Sequence, residues 1–167
     1  MNGIQFRANR VVLVPPQSIS NSATASDVIN LKNCPVATIV IQFGSMHDSL
    51  DMDIEVLSHN STTASGGEAI ATLKFRKQVT TGTWGAWTTV TDSKLDVVAA
   101  GDIDPSTDDN CIVEIELYAS ALEDTEAGDT YVYTNYTAGG AYAYLVSSHI
   151  VLNNQRYQAA VPESAVV

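Results

Sequence analysis

A chain of 167 residues with 45% hydrophobic and 16% charged residues is long enough for one domain with its own core and too apolar to stay disordered. Its net charge of −11 comes from one segment. Between Asp92 and Asp129 twelve acids meet a single base, Lys94, while elsewhere seven acids and seven bases cancel. That balance argues against a nucleic-acid partner, because phosphate binding requires clustered Lys and Arg. No run reaches the about 18 apolar residues of a membrane span.

Residues 1–10 precede the first clear strand and mix Ile4 and Phe6 with Arg7 and Arg10. That composition suits either an arm lying on a neighbouring surface or a frayed tail. "VVLV", Val11 to Val14, reads as a short first strand. It is too short for a signal-peptide core, and Pro15-Pro16 follows at once, so the chain is expected to be soluble and not exported. The sequons at Asn60 and Asn135 then carry no weight. Val36 to Phe43, "VATIVIQF", is an almost unbroken apolar run, as in a strand buried on both faces or a central strand of a sandwich. Leu50 to Leu57, "LDMDIEVL", alternates, and Asp51, Asp53 and Glu55 form the wet face of a half-buried strand. Ala69 to Arg76 is predicted to be one strand with Ala69, Ala71, Leu73 and Phe75 on one face. Trp87 to Thr91 has strand composition.

Cys111 to Tyr118, "CIVEIELY", sets Cys111, Val113, Ile115 and Leu117 against Glu114 and Glu116. Ser120 to Ala127 is predicted to give one helical turn. Tyr142 to Leu152 and Arg156 to Val161 read as closing strands. The stretches "SNSATASD", "HNSTTASGGE", "TTGTWGA", "AAGDIDPSTDDN" and "NYTAGGA" read as turns. Roughly seven to nine short strands with turns between them predict an all-β sandwich or barrel, one domain over 11–167 behind the arm 1–10.

Candidate chemistry is sparse. Asp102, Asp104, Asp108, Asp109 and Asn110 are hard oxygen donors suited to Ca²⁺. Counted from Asp102, however, the sixth position is Thr107 instead of Gly and the twelfth is Val113 instead of Glu, so the calcium-loop pattern fails. The same residues serve turns equally well. No metal and no cofactor is expected, with the four aspartates as the weak alternative. His47, His59 and His149 belong to no HExxH motif and no GxSxG elbow exists, so no enzyme is expected. Trp84 and Trp87 could form a sugar-stacking platform or pack over their hairpin. The basic spot Lys74, Arg76 and Lys77 reads as a solvated strand end before a phosphate site. Cys34 and Cys111 read as core thiols, with a disulfide left open.

The order of these pieces resembles a group of small tailed-phage virion proteins. The resemblance rests on Val11 to Val14 with the polar turn Asn21 to Ala25, then on Ala37 to Gly44 and Leu50 to Thr63. It continues through "LKFRKQVTTGTWGAWTTVTD" (Leu73 to Asp92) and "VEIELYASAL" (Val113 to Leu122) to the closing Arg156-Tyr157. The turn Gly101 to Asn110 and the insert "EDTEAGDT" depart from that pattern. The resemblance implies a jelly-roll-like β-sandwich that decorates or cements the outside of a phage head. Such a protein would be made in the host cytoplasm and bound to the major capsid protein as a symmetric homo-oligomer, a trimer at a three-fold axis. It carries over no catalytic residues. The expected capsid contacts are Ile4, Phe6, Arg7 and Arg10 of the arm. The competing expectation is a carbohydrate- or receptor-binding sandwich of a tail or fibre, built on Trp84 and Trp87.

Overall fold

The computed structural model describes residues 9–19, 23–49, 51–78, 82–123, 128–139 and 144–153. In chain order the elements are β1 (Asn9–Ile19), β2 (Ala23–Ala25), β3 (Ile29–Asn30), β4 (Val36–Phe43), β5 (Asp51–His59) and β6 (Glu68–Ala69). There follow β7 (Leu73–Gln78), β8 (Thr88–Val90), β9 (Lys94–Val98), β10 (Ile112–Tyr118), a single turn of helix α1 (Ala119–Glu123), β11 (Tyr131–Ala138) and β12 (Tyr144–Asn153). Apart from that turn, every regular element described is a strand, as the two-residue rhythm predicts.

The strands form two antiparallel sheets. The first runs β1-β12-β4-β10-β7-β8. In the second, β11 pairs β5 on one side and β2 and β3 on the other, while β6 and β9 pair different halves of β5. Without β6 to β8, the two sheets are β1-β12-β4-β10 and β2/β3-β11-β5-β9. That is the double Greek key of a jelly roll. Strands β6 to β8 are an excursion between β5 and β9 that widens the first sheet beyond β10.

The core lies between the sheets. Ala37, Ile39 and Ile41 of β4, Met52, Ile54 and Val56 of β5, Val113 and Ile115 of β10, and Val132 and Tyr136 of β11 are all buried. Each buried side chain removes apolar area from water at about 25 cal/mol per Å². Strand β4 alternates in burial. It is the central-strand alternative, flanked by β12 and β10, and its outward Val36, Thr38 and Val40 are only half-buried.

Several boundaries differ from expectation. The first strand extends to Ile19 through Pro15-Pro16, because the pairing with β12 shifts register between Val12 and Val14 and again between Val14 and Gln17. A proline pair fits such a bulged edge, where no N–H is needed. The strand expected over Ala69 to Arg76 is two strands in two sheets. The chain leaves β6 with the Ile70 amide donating to Val56 O at 2.9 Å, and Ile70 is buried. It crosses the sandwich edge with Ala71 exposed and enters the other sheet at Leu73. "NYTAGGA" is in part strand, since β11 runs to Ala138 opposite Met52. Tyr136 of that stretch is buried, as are Tyr133 and Thr134 before it in β11. Arg156 to Val161 lies outside the described residues.

Cys34 and Cys111 are free and buried. The Cys34 thiol donates to Val36 O at 3.0 Å and Asn153 O at 3.3 Å. Burial, with Asp108 nearby, pushes the Cys111 thiol up to about 12. Both are therefore protonated core groups and not reactive thiolates.

Candidate interaction surfaces

The Asp-rich turn closes on itself. Asp104 Oδ1 accepts from the Ser106 amide and hydroxyl, and its Oδ2 accepts from Ala100 N. These bonds hold its carboxyl below the usual range. Asp109 Oδ1 accepts from Met46 N at 2.5 Å, which ties the turn to the chain after β4. Asp108 is 2% exposed. Its Oδ2 accepts from Asp104 N at 2.8 Å and is ion-paired to Lys77 Nζ, which also donates to Asp102 O at 3.0 Å. Asp102 Oδ2 accepts from Asp96 N. The four aspartates thus aim at different backbone groups, and among the described residues no three His, Cys, Asp or Glu side chains gather as a metal set.

The basic spot is no bare solvated strand end. Arg76 and Lys74 lie in register with Glu114 and Glu116 on β10. Arg76 contacts Glu114 Oε2 through Nε at 2.7 Å and through its terminal nitrogen at 2.5 Å. Lys74 Nζ reaches Glu116 Oε2 at 2.9 Å. These pairs neutralise part of the acidic segment where it crosses the sheet, and opposed charges directly across a strand pair are mildly stabilising. The hairpin between β7 and β8 folds back through a Gly85 N to Lys77 O bond of 2.8 Å. It brings Trp84 and Trp87 over Arg76 at 4.5 and 4.7 Å, and Lys74 lies 5.1 Å from the Trp87 ring. The rings therefore stack on cations of the neighbouring strand, a packing role extending beyond their own turn.

The three histidines lie apart. His47 follows β4 and accepts from Ser49 N at 3.1 Å through Nδ1. His59 ends β5 on the outer side of the second sheet, and His149 is on the outer side of the first. Burial first, and then the Arg10 charge, hold the His149 imidazole below its ordinary value of 6.5. A depressed value makes this group's contribution to stability complete above the unfolded pKa, and it is lost as pH falls through the folded one. His149→Gln should therefore flatten the decline in melting temperature between about pH 7 and about pH 5. An unchanged slope in melts of both proteins would contradict the assignment.

The two outer faces of the sandwich differ in kind. On the second sheet Asp51, Asp53, Glu55 and Asp96 point outward. Lys94 bridges Asp53 and Asp96 at 3.0 Å each, and Asn135 donates to Glu55 at 3.2 Å. The wet-face reading of "LDMDIEVL" describes this side. Beyond its edge, Asp92, Asp96 and Asp102 line an open cleft of about 480 Å³, where burial and then the neighbouring acids raise the Asp102 carboxyl. On the first sheet the outward residues include Val36, Val40, Ile112 and Val151. Every large hydrophobic exposed among the described residues is on this side: Val12 at 56%, Leu145 at 60%, Tyr118 at 43% and Trp87 at 39%. Arg10 is on the same face, in β1 opposite Val151. Ile4, Phe6 and Arg7 lie outside the described residues. Composition could not reveal this asymmetry, because Val and Leu in a strand read as core until the pairing shows which way they point.

No protein-family model matches the chain, and no curated protein matches it. Among solved structures it is similar to the SPBc2 prophage-derived protein YomS, at 11% identity and a TM-score of 0.43, with 90% of this chain and 98% of that chain covered. A similarity of that size carries nothing further over to this chain.

Proposed function

We propose that the chain is a structural virion protein of a tailed phage that decorates the outside of the capsid and stabilises it. The observation that supports this reading is the division of the surface. One broad sheet face exposes apolar side chains and the other carries acids, the layout of a module that works by contact. A protein displayed in many copies stays soluble if its free side is charged, because assembled particles then repel one another. The jelly-roll frame provides rigid sheet faces for such contacts, and the sequence resemblance points the same way. On this reading the partner is the major capsid protein, reached by the N-terminal residues Ile4, Phe6, Arg7 and Arg10, and the decorating unit is a homo-oligomer.

The test is a reconstruction of purified particles of the phage that encodes the chain. Density for it on the outer shell, in copy number matched to the capsid lattice, is the expected result. Its confinement to tail or fibre, or its absence from the particle, overturns the proposal. Removal of residues 1–8, which leaves β1 whole, should lower occupancy on the shell at least tenfold, equivalent to about 1.4 kcal/mol. Unchanged occupancy would exclude Ile4, Phe6 and Arg7 as the contact.

A further inference from the structure

We infer that the outer face of the first sheet is a contact between two copies of this chain, packed face to face. The argument begins with what is exposed. Val12 and Leu145 keep more than half of their surface in water, at the β1–β12 side of a face whose centre is Val40 and Thr38 of β4. Half-buried Val36, Ile112 and Val151 add apolar surface elsewhere on the face, and the polar Ser147 and His149 lie along β12 from Leu145 to the position opposite Val12. A face of this character, free of turns among the described residues of its central strands, is what sheet-on-sheet packing uses.

Charge selects the second copy as occupant. Two chains of net −11 repel through most approaches. Here, however, the acids Glu114 and Glu116 are already paired to Arg76 and Lys74, and Arg10 adds a positive charge. The face is thus close to neutral, and packing it against itself leaves both acidic sheets pointing outward at maximum separation. Size agrees. Five strands about 4.8 Å apart and about seven residues long present on the order of 500–600 Å². Two copies then bury about 1,000–1,200 Å², the lower bound for a specific interface. Shape agrees as well. Protruding Leu145 borders a groove of about 240 Å³ lined by Pro16, Gln17 and Phe43, so knob and hole occur on one surface, as a two-fold interface requires. The contact is two-fold, in place of the three-fold arrangement that the resemblance implies. It holds whether or not the chain decorates a capsid.

Sedimentation equilibrium on the full chain tests this. The expected result is a reversible monomer–dimer equilibrium. Val12→Glu with Leu145→Glu should raise its dissociation constant by about a hundredfold or more, since an unpaired charge is buried at each position. Thr137→Glu, on the acidic face, should leave the constant unchanged. Both substituted sites on the first sheet are largely exposed, so circular dichroism and melting temperature should match the parent. A monomer at every concentration overturns the inference, as does a dimer indifferent to the paired substitution or one dissolved by Thr137→Glu. A protein that is monomeric alone but still binds heads would assign the face to the shell and leave the proposed function standing.

Discussion

Asp108→Ala should destabilise the fold by about 3–4 kcal/mol, among the largest effects of any polar substitution in the chain. The carboxylate is almost wholly buried. Its Oδ2 alone serves Lys77 Nζ and the Asp104 amide. Its backbone accepts from Cys111 N at 3.1 Å, where β10 is about to begin. Removing the side chain leaves the Asp104 amide without its acceptor and takes the counter-charge from the partly exposed Lys77 ammonium, which keeps only Asp102 O, and the turn that aligns β10 loses its anchor to β7. Lys77→Met should cost a similar amount for the opposite reason, because the carboxylate is then left without its cation. The double variant Lys77→Met with Asp108→Ala should cost less than the sum of the two, with a coupling of about 1.5–3 kcal/mol. At the more open pair Lys74–Glu116, with side chains 44% and 23% accessible, either truncation should cost far less, because water screens the pair. Urea melts of these five variants decide the matter. A cost below about 1 kcal/mol for Asp108→Ala would show that the turn holds without the pair.

Gly67→Ala should cost about 2–3 kcal/mol and lower the melting temperature by about 5–10 °C. A Cβ there would lie 2.6 Å from Ser58 O, 2.8 Å from Tyr133 Cε1 and 2.9 Å from its hydroxyl. The Gly67 amide donates to that same hydroxyl at 3.1 Å. Neither neighbour can yield. Ser58 belongs to β5 and pairs Glu68 of β6, while Tyr133 is buried although it points away from the core. The added methyl would lift β6 from β5 and expose the ring. Gly66→Ala, one residue earlier, meets open space and only the penalty of its φ of +76°, so about 1 kcal/mol is expected. Equal melting temperatures for the two variants would show that the close approach at Gly67 relaxes without cost.

The adjacent glycines illustrate what sequence reading can resolve. "SGG" at 65–67 marks a turn by composition alone, yet only the packing of Tyr133 reveals that one glycine serves conformation and the other serves space. The same limit applies to the candidate surfaces. Val12 and Leu145 have the letters of core residues, and nothing local separates them from Leu13 or Val146, which are buried. Trp84 and Trp87 were legible as features, but their stacking on Arg76 and Lys74 joins residues on opposite arms of a hairpin.

The sequence by itself determined the all-β class, the half-buried alternation of β5 and β10, and the acidity of the segment from Asp92 to Asp129. Each follows from side-chain character repeating at the strand period, which is a local property of the chain. Only the tertiary structure decided that Ala69 and Leu73 belong to different sheets, that β11 continues through a turn-like stretch, and that apolar exposure falls on one face and acids on the other. Those outcomes depend on which strands pair and in what register. A shift of one residue exchanges the two faces, and that choice is made by partners distant along the chain.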